Sequence, residues 1–181
     1  MKKVMKIFWL AIMGILTSCS DMEIPFHELD VEFRYELTCS EVLLKYVTPE
    51  VTITDRDGTR QTFFIENEMW KGDEHKTWTQ SVHYDSLNVA NSMTVKYIPK
   101  TDVTYQNEPE FDNVHNLSCL VTIQEDGDGR RNNYTIVPNF PSKTEVKAEA
   151  LKAFVGVLSN KTTTRGGKVD LKGEITKIEI N

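Results

Sequence analysis

The chain reads as a mainly all-β protein, an antiparallel β-sandwich finished by one C-terminal helix and a closing strand or hairpin. Three observations carry that reading. Residues 31–38 alternate without a break, with Val31, Phe33, Tyr35 and Leu37 set against Glu32, Arg34, Glu36 and Thr38. A period of two gives a strand with one buried and one wet face, the pattern of an antiparallel sheet. Short apolar runs then recur between turn signals such as Asp55-Arg56-Asp57-Gly58 and Asp126-Gly127-Asp128-Gly129, as in a sandwich. After Pro141 the period changes, and Val146, Ala150, Leu151, Phe154, Val155 and Leu158 fall at helical spacing.

The first segment, 1–18, is a leader. Lys2, Lys3 and Lys6 precede an unbroken apolar run from Ile7 to Leu16. The run is too short to span a bilayer, which takes about 20 apolar residues, and suits a signal peptide. It ends in Leu16-Thr17-Ser18-Cys19. This leader resembles that of bacterial lipoproteins, in which a leucine, two small residues and a cysteine mark the cleavage site. The resemblance implies that Cys19 becomes the lipidated N-terminus. Two or more acyl chains make a stable anchor, at about 0.8 kcal/mol per buried methylene. Ser20-Asp21-Met22-Glu23 follows and is similar to the surface-export tether of lipoproteins from Bacteroides-type bacteria. Residues 19–30 are therefore expected to be a lipidated tether, at the outer membrane and on the cell surface.

The sandwich is expected over 31–138. After the first strand, Ser40 can cap a short helical turn or a bulged crossover over 40–47. Pro49 forces Thr48 extended, and a second strand follows at 50–54 with Val51 and Ile53 inward. Gly58 supplies the positive φ of a hairpin turn, and a third strand occupies 60–67. A loop over 68–75 carries Trp70. The fourth strand, 76–84, turns Trp78, Val82 and Tyr84 to one side. The fifth, 92–99, has Met93, Val95 and Tyr97 on one face and ends at Pro99, which suits a strand end or edge. Residues 101–113 read as one long irregular loop, a kind that is often functional. A sixth strand at 116–125, a turn at 126–131 and a seventh strand at 133–138 complete the set. Residues 139–181 form an appendage packed on the same domain. Thr144 caps a helix over 144–159, though Val155, Val157 and Ser159 also alternate as in a strand. Gly166-Gly167 is a turn, and 168–180 closes the fold as a hairpin or strand pair.

Charge and cysteines narrow the function classes. The 181 residues hold 21 basic and 27 acidic side chains, a net charge of -6. Loss of the three leader lysines leaves 18 against 27, or -9. Such a chain is poorly suited to nucleic acid, where basic residues must neutralise phosphates, and lipid rather than charge must hold it on a membrane. Besides Cys19, only Cys39 and Cys119 are present. Export makes a bridge between them possible, closing a long loop; the alternative is two buried free thiols.

From Val31 to about Pro138 the chain resembles the immunoglobulin-like sandwich lipoproteins of Bacteroides-type bacteria. The residues that carry the resemblance are Leu37-Thr38-Cys39-Ser40, Leu44-Lys45-Tyr46-Val47-Thr48-Pro49 and Lys96-Tyr97-Ile98-Pro99-Lys100. It implies a fold and a surface location and no activity. Cys39 and Cys119 flank Trp70 and Trp78, but Leu117 stands where a tyrosine corner would place tyrosine.

The motifs weigh against catalysis. The chain has no nucleophile elbow, no H-E-x-x-H, no P-loop and no dinucleotide glycine fingerprint. Glu108 and Glu110 are two carboxylates that could act as acid and base, and a solvated loop tip is the plainer reading. The Asp55 and Asp126 turns resemble pieces of a calcium loop; Glu66 stands at the twelfth position from Asp55, but Gln61, Thr62, Phe63 and Phe64 intervene, and the twelfth from Asp126 is Val137. His27, His75, His83 and His115 are scattered, so no metal or cofactor is expected. The loop aromatics Trp70, Tyr105 and Phe111 are the candidate ligand-binding residues, since rigid rings stack on sugars and anchor peptides at low entropic cost. Asp85-Ser86-Leu87 resembles a short bacterial O-glycosylation acceptor centred on Ser86. The expectation is a non-catalytic surface module that takes a glycan or protein partner. The alternative is an accessory subunit of an outer-membrane or periplasmic assembly; a small hydrolase is disfavoured.

Overall fold

The computed structural model describes residues 28–73, 75–125, 128–134 and 143–181. Within them lie β1 (Leu29–Ser40), α1 (Glu41–Leu44), β2 (Val47–Asp55), β3 (Arg60–Phe64), a 3-10 turn (Asn67–Met69), β4 (His75–Tyr84) and β5 (Val89–Pro99). There follow β6 (Glu108–Phe111), β7 (His115–Glu125), β8 (Asp128–Tyr134), β9 (Thr144–Val146), α2 (Ala148–Ser159), β10 (Thr162–Val169) and β11 (Ile175–Ile180). One antiparallel sheet runs β4-β1-β7-β8, the other β11-β10-β5-β2-β3, and β6 and β9 form a small third.

The alternation in β1 does what its period dictates. Val31, Phe33, Tyr35, Leu37 and Cys39 are fully buried, each against the inner residues of the facing sheet. The Tyr35 hydroxyl donates to Asn91 Oδ1 at 2.7 Å, Asn91 Nδ2 donates to the Tyr84 hydroxyl at 2.8 Å, and that hydroxyl donates to Asp55 Oδ1 at 2.6 Å. This chain of bonds joins the two sheets and leaves its buried polar groups satisfied, which spares the fold a cost of about 1–3 kcal/mol for each orphaned group. Within the five-stranded sheet, Thr52 pairs with Thr62 and Thr94 with the buried Thr164 through their hydroxyls, cross-strand contacts that steady the sheet.

The architecture is thus the expected all-β sandwich with a C-terminal helix and closing hairpin. Its strand order is its own. Immunoglobulin constant domains order their strands ABED and CFG, so the first two share a sheet; here β1 and β2 lie in opposite sheets. The crossover is α1, capped by Ser40, whose Oγ accepts the Leu43 N–H at 3.1 Å.

Several sequence expectations are corrected. Gly166-Gly167 is no turn but the interior of β10. A Cβ on Gly166 would stand 2.3 Å from the Asn91 carbonyl oxygen, and one on Gly167 would stand 3.0 Å from Val121 Cγ2, so both glycines let β10 pack close. The turn falls at 170–174, where Gly173 takes a φ of +74° and Asp170 Oδ1 accepts the Lys172 and Glu174 N–H groups. Thr144 does not cap the helix; it belongs to β9, and α2 begins at Ala148, whose N–H donates to Asn107 Oδ1 at 3.0 Å. The 101–113 stretch contains β6, whose partner β9 is distant in sequence. The expected turn at 126–131 is shorter, since Glu125 already pairs with Asp128; of the expected 133–138 strand, 135–138 lie outside the described residues. The division at 138 dissolves too, because β10 and β11 are members of the main sheet.

The registers set two poles. β1 pairs Val31 with Tyr84 and Ser40 with His75, β2 pairs Val47 with Pro99, and the Tyr35–Asn91 and Cys39–Tyr97 contacts align the two sheets. The start of β1, the 55–59 and 85–88 turns and the 170–174 turn therefore share one pole. α1, Trp70 and the Pro99-Lys100 exit share the other. The length of β1 separates them, roughly 35 Å at 3.3 Å per residue.

Candidate functional site

Two adjoining clefts open at the pole opposite the chain's entry, of about 440 and 340 Å³, and both are lined by Leu44, Asn67, Trp70 and Lys100. The larger has an apolar floor of Val47, Pro49 and Ile65, with Ile98 and Phe64 beside it and Glu66 and Glu68 on its rim. The smaller is bordered by Glu41, Lys45 and Lys76. Local structure explains the placement of Trp70. β3 ends at Phe64, and the 3-10 turn then lifts the chain over the end of the sandwich. A two-bond bridge between Lys71 and Thr77, with Gly72 at a φ of +89°, ties the segment back to β4. Trp70 is left half-buried, with part of its ring packed on the core.

The charges around the clefts are unevenly matched. Lys76 Nζ lies 3.7 Å from Glu41 and donates to the Gly72 carbonyl, and Lys45 Nζ lies 3.4 Å from Glu108. Lys100 differs. Its Nζ donates to the Leu44 carbonyl at 2.8 Å, and among the described residues it has no carboxylate partner. The Asn67 side-chain amide and the Trp70 indole N–H likewise have no hydrogen-bond partner there. Three residues with polar bonding capacity to spare among the described residues thus line clefts with an apolar floor, the ordinary make-up of a small-ligand site.

Of the candidate aromatics, Trp70 alone lines the clefts. Tyr105 is half-buried and stacks on Tyr46, with ring centroids 5.1 Å apart and planes 10° from parallel. The Tyr46 hydroxyl donates to Glu108 Oε1 at 2.5 Å, and burial, then that carboxylate, pushes its phenol up to about 12. Phe111 is corrected: it is 6% exposed and packs edge-on against Phe154 of α2, because β6 turns it inward. Trp78 is in the core, as expected.

The other expected groups are spread over the molecule. Cys39 and Cys119 are free, buried thiols. They lie on adjacent strands, but Cys39 is opposite His115 and Cys119 opposite Tyr35. Four residues of register, about 13 Å along the strand, exceed the span of a disulfide. Glu108 is held by Lys45 and Tyr46, whereas Glu110 is exposed and pairs with Lys143, so the two carboxylates are held by different partners. In the 55–58 turn, Asp55 accepts from Tyr84 and Arg56, and Asp57 accepts the Thr59 N–H, which holds the Asp57 carboxyl below its usual range. Both carboxylates are committed to the turn; Asp126 lies outside the described residues. His75 contacts Asp112, His83 contacts Asp30, and His115 sits between Tyr97 and Phe154. Among the described residues no group of three or more His, Cys, Asp or Glu side chains is arranged to hold a metal ion. Ser86 is half-exposed in the 85–88 turn at the entry pole. Cys19 and His27 lie outside the described residues.

Lys100, Asn67 and Leu44 were not legible as site residues. Pro99-Lys100 reads as a strand exit, and only the tertiary bonds from the Lys100 N–H to the Tyr46 carbonyl and from its ammonium to the Leu44 carbonyl bring it into the cleft that Trp70 lines. No family model, no curated protein and no solved structure matches the chain.

Proposed function

We propose that the protein is a non-catalytic lipoprotein, anchored in the outer membrane through Cys19 and facing outward, that presents the Trp70 cleft to a glycan or protein partner. The observation that carries this reading is the polarity of the fold. The chain enters the sandwich at one pole, and the cleft lies at the other. A tether from Cys19 to Leu29 would hold the entry pole, with its acidic turns, toward the membrane and leave the cleft roughly 35 Å further out.

Protease treatment of intact cells tests the reading. Degradation of the protein on intact cells is expected, and Cys19→Ala should move it from the membrane to the soluble fraction. Protection until the outer membrane is opened would instead assign it to a periplasmic assembly as an accessory subunit. Membrane retention of the Cys19→Ala variant would remove the lipid anchor from the account.

A further inference from the structure

The Trp70 cleft has an electrostatic asymmetry that goes beyond binding in general. Lys100 stands where the two clefts meet. It is half-buried, and among the described residues its ammonium has one partner, the Leu44 carbonyl oxygen, which takes one of its three donors. An ammonium partly withdrawn from water without a counter-ion is costly to hold, and this one sits in a chain whose net charge is negative. Lys45 and Lys76 border the smaller cleft on the same side together with Glu41, so three ammonium groups, counting Lys100, face one carboxylate there, while Glu66 and Glu68 line the larger cleft. The α1 side thus favours an anion and the β3 side disfavours one. The half-buried indole of Trp70 and the amide of Asn67, neither hydrogen-bonded among the described residues, line the same clefts as Lys100.

We propose that this cleft binds a carboxylated pyranose, with the sugar ring on the Trp70 indole and its carboxylate on Lys100. The proposal rests on the reading of the cleft as the outward binding surface and names the ligand class for it. A pyranose offers an apolar C–H face to an aromatic ring and hydroxyls to the Asn67 amide. A carboxylate supplies the charge-assisted partner that Lys100 lacks. The distribution of charge orients the sugar, with its acid toward α1 and its neutral neighbours over the floor formed by Val47, Pro49 and Ile65. Uronic and sialic acids share this chemistry.

Calorimetric titration of the purified full chain in detergent tests it, with oligogalacturonate, sialyllactose and a neutral galactose oligomer as probes. At least one acidic probe should bind and lose affinity as salt rises, and the neutral oligomer should bind about tenfold or more weakly. Lys100→Met, which keeps the stem packed, should cost about tenfold or more for the acidic probe while the protein still unfolds in one cooperative transition. Trp70→Ala should lower affinity for every sugar, and Lys172→Met, in the exposed 170–174 turn at the opposite pole, should change little. Equal binding of neutral and acidic probes, or a silent Lys100→Met, overturns the assignment while the outward cleft stands. Failure of all three sugars to bind a protein that proteases reach on cells also overturns it. Protection from protease strikes the underlying reading instead, so the two failures are told apart.

Discussion

Single atoms decide much of this molecule. Gly166 is the clearest case: a methyl group there would meet the Asn91 carbonyl at 2.3 Å and Ser92 Cα at 2.7 Å, both backbone atoms that cannot swing away. Gly166→Ala should destabilise by about 2 kcal/mol or more through forced separation of β10 from β5, read from chemical denaturation; an unchanged midpoint would show that the strands have room. The two thiols are a second case. Burial pushes Cys39 and Cys119 each up to about 12, and a protonated thiol is a poor nucleophile. Iodoacetamide at pH 8 should label neither in the native protein and both after unfolding. A bridged pair that resists alkylation until reduced would contradict the register.

At the scale of elements, α2 is built with one tolerant position. Leu151, Val155 and Leu158 form its buried stripe, and the residue at its N-cap, Lys147, makes no side-chain cap bond. Asn107 performs that task from the loop before β6, so tertiary contact substitutes for a local signal. Gly156 lies within the helix, and a Cβ added there would meet nothing within 4 Å. Gly156→Ala should therefore stabilise the protein by about 0.5–1 kcal/mol, seen as a raised midpoint in denaturant; a loss would mean that the glycine serves a contact in the assembled protein. The same elements show where pattern reading works. Strands β1, β2, β4, β5 and β7 were legible because their faces alternate between core and water. The apolar set of α2 was legible in its period but not in its start, since Thr144 looks like a cap and instead pairs in β9 with Phe111 of β6. A three-residue strand has no period to read, and its partner is more than 30 residues away.

For the whole molecule, the buried phenols and thiols set an alkaline limit. Burial raises Cys39, Cys119 and Tyr84 to about 12, and pushes Tyr35 and Tyr97 upward as well. The folded state therefore holds protons that the unfolded chain releases from about pH 9 for thiols and pH 10 for phenols. This contribution is complete below pH 9 and is lost as pH rises through 12. Melting temperature should be level near neutrality and fall steeply above pH 9; a flat profile to pH 11 would show that these groups are not shut away from water. The same burial gives the sandwich its shared interior, in which Tyr35, Asn91 and Tyr84 link sheets that separate lengths of chain supply.

The basic and then apolar first segment, the acidic balance, the alternating strands and the helical stripe are properties of neighbouring residues, so they could be read along the chain without any fold. Trp70 was also within reach, as a large ring in a loop. What tertiary structure alone decided is which distant residues meet. It separated Cys39 from Cys119 by strand register, turned Phe111 inward, and took Gly166 and Gly167 into a strand. It also brought Lys100, without a carboxylate partner among the described residues, beside Trp70 and Asn67. Those outcomes depend on register and strand order, which are set by packing of the whole core, and one sequence read by local period carries no record of them.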